Sequence, residues 1–252
     1  GCTQDYGSMT LMPLFESLRC TPEKRSTRFS HDKEIATPSY YSVSLPDEYL
    51  QAEMTGCSRS AIFRFTYQKE GKAYLIVNPN SDEGEGYIEI DTLQKRIYGY
   101  NPVHRIYQGW GEPAGYSGHF IIDYQKELCD FGTFREDSVF PRQIQIKNEK
   151  NIGIYICFQV ESNEEILIKA ASSFTDRKGA EKNLQKEIAH WNFDQVLHIL
   201  RNVYHMVHIL HADTKLVFGQ PSGNIGMGMG TYIGIDTESH IGHLTFSGSQ
   251  LV

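Results

Sequence analysis

The side chains best able to do chemistry are the carboxylates Asp5, Glu53, Asp91, Glu112, Asp123, Asp130, Glu136 and Asp137. Glycosidic cleavage takes two such groups, one to protonate the leaving oxygen and one to activate water. No spacing along this chain singles out a pair, and an isolated carboxylate is by default a solvated surface group. Trp110 is a sharper feature, flanked by Gly109 and Gly111 in the loop-like run YQGWGEPAGYSGH at 107–119. An indole held on a loop offers an apolar plate to the C–H face of a sugar, with polar neighbours to meet its hydroxyls. Trp110 and Glu112 are therefore candidate substrate contacts, with Asp5 as a third. The plainer alternative for Trp110 is an indole folded back onto the edge of the body.

Other constellations are weaker. His205, His208 and His211 recur every three residues, with His198 one heptad before His205. No carboxylate or cysteine on that stripe completes a ligand set, so it reads as a polar helix edge and no metal ligand is assigned in this chain. His240 and His243 carry no more weight. GMGMG at 226–230 lacks the strand before and the helix after that a dinucleotide loop needs. GYSGH at 115–119 falls between β segments, not at the strand-to-helix elbow of a serine nucleophile. The five cysteines, Cys2, Cys20, Cys57, Cys129 and Cys157, include no CxxC, so no zinc site is expected and at least one thiol is odd.

The elements that must position these groups read first as strands. YYSVSL (40–45), AIFRFTY (61–67), AYLIVN (73–78), GYIEID (86–91), RIYGY (96–100), HFIIDY (119–124), RQIQIK (142–147), IGIYICF (152–158) and EILIKAA (165–171) follow one another at strand length. Alternation is clearest at 61–67, with Ala61, Phe63, Phe65 and Tyr67 on one side and Arg64 and Thr66 on the other. Turn signals such as NPNSDEGEG (78–86) and GEPAGYSG (111–118) separate the strands, and no helix-length segment intervenes. The pattern predicts an all-β antiparallel β-sandwich, with Phe63, Phe65, Leu75, Val77, Ile154, Ile156 and Phe158 inward. Near residue 176 the period becomes helical, with Ala180, Leu184, Ile188 and Trp191 in one stripe and Ser173 as the expected N-cap. AHWNFD (189–194) marks a break, and a second helical run extends from about Phe193 to His211 with Val196, Leu200, Val203, Val207 and Leu210 on one face. The expected organisation is a β-sandwich over 1–172, a helical linker over 173–215 and a Gly-rich tail over 216–252. The tail has eight glycines and no Lys or Arg. It fits a loose β-rich piece, a disordered end or a shifted reading frame.

Composition bounds the rest. Across 252 residues, 31 acidic and 24 basic side chains give a net charge of −7, without the basic footprint of a nucleic-acid binder. With 22% charged and 12% aromatic residues, wholesale disorder is excluded. No apolar run approaches the ~20 residues of a membrane-spanning helix.

Several stretches together resemble glycoside hydrolase family 92. DYGSMTLMP (5–13), RFSHDKEIATPSYYSVSL (28–45), AEMTGCSRSAIFRFTY (52–67), KRIYGY (95–100) and SSFTDRKGAEKNLQKEIAHWNFDQV (172–196) follow the family's motifs in order over about 1–212. The resemblance implies calcium-dependent, inverting exo-α-mannosidases, mostly secreted or periplasmic. It also implies an N-terminal sandwich joined by a helical linker to an (α/α)6 barrel that holds the acid, the base and most calcium ligands. On this reading the chain is the sandwich half, clipped at both ends, so that Gly1-Cys2 is interior sequence and not a lipidated terminus. The chain would complete a pocket for mannose-containing glycans at the barrel mouth and be inactive alone, with no catalytic residue of its own, at a periplasmic or extracellular site. A free-standing glycan-binding or scaffold sandwich is the alternative. Stripped of the barrel, the stripe of Leu184 and Ile188 would either find the sandwich or remain wet, and an exposed apolar surface with self-association is expected.

Overall fold

A computed structural model describes residues 7–80, 84–104, 113–202, 232–236 and 241–247. Among these, sixteen strands form two antiparallel sheets packed face to face. In chain order the strands are β1 (Gly7–Phe15), β2 (Glu34–Thr37), β3 (Tyr40–Leu45), β4 (Leu50–Gly56), β5 (Ser60–Tyr67), β6 (Gly71–Asn78), β7 (Tyr87–Asp91) and β8 (Arg96–His104). There follow β9 (Pro113–Tyr124), β10 (Asp130–Arg135), β11 (Ser138–Pro141), β12 (Gln145–Lys147), β13 (Ile152–Val160), β14 (Glu164–Ser173), β15 (Tyr232–Asp236) and β16 (Ile241–Ser247). One sheet runs β11-β10-β13-β6-β1-β16-β15, and the other β12-β7-β8-β9-β14-β5-β4-β3-β2. Helix α1 (Pro22–Arg25) lies between β1 and β2, and α2 (Arg177–Glu187) follows β14. Residues 193–202 form the described part of a further helix, α3.

Side-chain alternation builds the core. Ala61, Phe63, Phe65 and Tyr67 of β5 face Leu75 and Val77 of β6 and Ile154, Ile156 and Phe158 of β13 in one cluster, as predicted. Phe63 and Phe65 stack with ring centroids 6.1 Å apart. Each fully buried side chain of this size contributes roughly 1.5–3 kcal/mol of apolar transfer.

Each sheet also buries residues on its outer face. On the nine-stranded sheet, Ile62, Ile121 and Ala171 point away from the core and are covered by Ala180, Leu184 and Ile188, then by Phe193, Val196 and Leu197 of α3. Leu184 is 2% exposed and Ile188 0%, so this stripe finds the sandwich and supplies no wet apolar surface. On the seven-stranded sheet, Met12, Leu14, Ile76, Phe134 and Tyr155 are covered by Cys20 and Leu18.

Several boundaries move. The N-cap of α2 is Asp176, whose carboxylate accepts the Gly179 N–H at 2.6 Å, and not Ser173. Ser173 is still in register with His119 at the end of β14, and its hydroxyl accepts the Thr175 N–H. The break at 189–194 falls as predicted, with α2 ending at Glu187 and Ile188 as its C-cap. β9 begins at Pro113, so GEPAGYSG and GYSGH enter a strand where a turn was expected. Pro113 gives up no needed donor at a strand's first residue. Gly115 absorbs a φ of +84° there. Within the tail, β15 and β16 pair with each other, and β16 pairs with β1. Val203, Val207, Leu210, His205, His208, His211, His240 and the GMGMG run lie outside the described residues.

Candidate functional site

The hairpin of β8 and β9 carries residues 105–112 between its strands, and with them Trp110 and Glu112. Trp110, Glu112 and Asp5 all lie outside the described residues. The face leading up to them is described. Inward Ile97 of β8 and Phe120 and Ile122 of β9 anchor the hairpin in the core. The same alternation turns Tyr98, Tyr100 and His119 outward, beside Tyr87 and Glu89 of β7.

These rings form a continuous stripe. Tyr87 stacks on Tyr100 at 5.5 Å with planes 18° apart. His119 lies 5.6 Å from Tyr100, and parallel to Tyr98 at 6.3 Å. On the opposite, core side Gly99 leaves room for Phe120, since a Cβ there would sit 2.3 Å from the Phe120 ring and 2.8 Å from the Tyr87 carbonyl oxygen. Near the start of β9, Tyr116 meets Phe174 edge-on at 5.5 Å.

The stripe's polar edge ties it to α2. The Arg177 guanidinium lies 4.6 Å over Tyr98 and pairs with Glu89, whose carboxylate accepts the Tyr87 hydroxyl at 2.6 Å. Arg96 binds Asp123 through two nitrogens, at 2.6 and 2.8 Å, and also reaches Glu181. Burial, followed by the Glu89 hydrogen bond, pushes the Tyr87 phenol well above its ordinary range. Burial lowers the His119 imidazole, against the pull of Asp176. The shift favours the neutral imidazole, and Nδ1 lies 3.0 Å from the Tyr98 hydroxyl oxygen, within hydrogen-bonding distance. A second tie lies at β4 and β5, where Arg64 forks onto Glu53 at 2.6 and 2.8 Å, lies 4.3 Å over Phe193 and pairs with Asp194. Lys169, buried, donates to the Ile188 carbonyl at the C-terminal end of α2 and lies 4.2 Å over Trp191.

The described carboxylates of the sequence-based set do not converge. Glu53 holds Arg64 and Tyr40, and Asp123 holds Arg96. Asp91 caps a turn through the Leu93 and Gln94 N–H groups, Asp130 accepts from Phe131 N–H, Glu136 takes the Asn151 amide and Asp137 pairs with Lys24. Among the described residues no three of His, Cys, Asp and Glu gather to hold a metal. With their oxygens committed to arginines, amides and backbone donors, these groups do not fit a calcium site. The face can stack and hydrogen-bond a ligand, and the described candidate carboxylates do not come together on it as a pair.

Sequence reasoning missed the tyrosine stripe. Its signal was there in YIEI and RIYGY, where outward positions that usually hold charged residues hold tyrosines.

A model described as the glycosyl hydrolase family 92 N-terminal domain matches residues 1–173. Among solved structures, a family GH92 inverting mannosidase from Bacteroides thetaiotaomicron VPI-5482 is similar at 26% identity and TM-score 0.68, covering 78% of this chain and 26% of that one. A family GH92 α-mannosidase from Bacteroides thetaiotaomicron is similar at 26% identity and TM-score 0.66, covering 77% and 27%. A GH92-family glycosyl hydrolase at 16% identity shares the fold, with TM-score 0.66 over 79% of this chain and 28% of that one. The chain thus spans about a quarter of the length of these structures. No curated protein matches it.

Proposed function

The chain belongs to glycosyl hydrolase family 92 through its N-terminal domain, and from that premise we propose that it is the pocket-completing, non-catalytic domain of an inverting exo-α-mannosidase acting on mannose-containing glycans. The observation that carries this reading is the match of 1–173 to that domain. The commitment of each described candidate carboxylate to a structural partner agrees with it. In this proposal a separate (α/α)6 domain supplies the acid, the base and the ligands of a calcium ion. Trp110, Glu112 and Asp5 reach the sugar from the sandwich side, with Trp110 as the stacking plate. The work would take place in the periplasm or outside the cell.

The test is mannose release by purified 1–252 from α-mannosides, with calcium and with a chelator. No release is expected in either condition, since a missing general acid or base alone costs ~10²–10⁴-fold. Residual sugar affinity should be millimolar or weaker and be lost in Trp110→Ala without loss of fold. Turnover that persists through purification to homogeneity would put the chemistry in the sandwich and overturn the proposal. Tight glycan binding by the chain alone would instead favour a free-standing binding module using the tyrosine stripe.

A further inference from the structure

Cys129 and Cys157 stand apart from every group discussed so far. Cys129 directly precedes β10 and is exposed; Cys157 lies in β13, the strand next to β10, and is buried. The Cys129 N–H donates to the Cys157 carbonyl at 2.9 Å, which fixes the two backbones against each other. Their Sγ atoms are 2.9 Å apart. That is about 0.9 Å more than the ~2.05 Å of a disulfide bond, a gap that a small side-chain rotation closes without moving the strands.

We propose that Cys129 and Cys157 are a paired redox site that forms an intrachain disulfide when the chain meets a small-molecule disulfide oxidant. The inference is independent of the mannosidase reading. Exposure assigns the order of events. The Cys129 thiolate attacks one sulfur of the oxidant RSSR, forming a Cys129–S–S–R mixed disulfide and releasing RS⁻. Cys157, shielded from direct attack, loses its proton to solvent and attacks the Cys129 Sγ. The Cys129–Cys157 bond forms and the second RS⁻ leaves. Two thiols are oxidised and one RSSR is reduced to two RSH.

Burial is the main reason that the Cys157 thiol titrates well above its ordinary value; neighbouring Cys129 adds to this, while Tyr74 and Lys72 of β6 pull the other way. The second step needs the Cys157 thiolate and should quicken with rising pH. The closed loop takes in β10, β11, β12 and the first part of β13, so the bond would tie β10, one strand in from the β11 edge, to its inner neighbour β13.

The experiment treats the whole chain with oxidised glutathione under native conditions, alkylates remaining thiols after unfolding and maps the peptides by mass. The expected result is a chain lighter by two hydrogen atoms, a thiol titre lower by two and one crosslinked peptide pair joining Cys129 to Cys157. A rise in Tm on the order of 5 °C, reversed by dithiothreitol, should accompany it. Cys129→Ser, at an exposed position, should fold normally and show neither crosslink nor shift. Cys157→Ser should stop at a stable glutathione adduct on Cys129. A wild-type chain that also stops at the adduct, keeps all five thiols, or crosslinks through Cys2, Cys20 or Cys57 would overturn the proposal.

Discussion

On the outer face of the nine-stranded sheet, Arg64, Arg96 and Arg177 each meet a carboxylate, Glu53, Asp123 and Glu89 respectively. On the outer face of the seven-stranded sheet, buried Arg25 meets the Cys20 carbonyl and the Asn78 amide oxygen instead. Burial brings the Arg25 guanidinium down to about 10, whereas the hydrogen bonds to Glu53 and Asp123 hold Arg64 and Arg96 above their ordinary values. The arginines of the first face act as crosslinks, tying α2 and α3 down by charge while the aliphatic stripe beneath them stays dry. Arg25 acts as a plug, supplying donors to a carbonyl and an amide that a crossing segment leaves buried.

The largest expected effect breaks the crosslinked face. Leu184→Ala removes the centre of the α2 stripe and should cost about 3 kcal/mol, read as a lower urea midpoint with unchanged slope. The emission of Trp191, held next to Lys169 at the end of α2, should change with it. A loss under ~1 kcal/mol would mean that the helices only rest on the sheet, and the contrast between the faces would fail. On the plugged face, Arg25→Met keeps the volume and deletes the donors, leaving two buried acceptors unmet. Its expected cost is smaller, about 1–2 kcal/mol by chemical denaturation. A more stable variant would show that the charge costs more than its hydrogen bonds return.

The smallest effect sharpens the picture of the stripe. The folded-state value of His119 is held down by burial, so its contribution to stability is fully present above the unfolded value near 6.5 and lost as pH falls below it. The wild type should therefore lose more of its urea midpoint than His119→Gln does between pH 7.5 and pH 5.5. Equal losses would place His119 in water rather than against Tyr98.

The core was legible because alternation is enforced by the pleat. Phe63 and Phe65 alternate with Arg64 and Thr66, which marked their side as the dry one, whereas Ile154 sits in a strand buried on both faces. The outer faces were not, because Ile62 and Ile121 are outward residues whose burial depends on helices folding back from beyond residue 176. Ser173 looked like a cap by type, but strand pairing to His119 held it in β14 and passed the role to Asp176. The stripe of Tyr87, Tyr98 and Tyr100 was hidden for a related reason. An outward tyrosine reads as wet until neighbouring strands bring a second and third ring beside it. The chosen contacts, Asp5, Trp110 and Glu112, rested on residue type and resemblance alone.

The pairing of β1 with β16, Gly7 against Ser247, has a consequence for biosynthesis. β1 can dock on β6 as soon as residues 71–78 leave the ribosome, but its other edge must wait for 241–247. In the interval the nascent sheet presents an open strand edge carrying Met9 and Leu11, the kind of template that recruits a neighbouring chain. Closing it is a contact of very high sequence separation, late and slow by nature. The yield of folded chain should therefore depend on how long that edge is kept covered, by a chaperone or by dilution, before its last partner arrives.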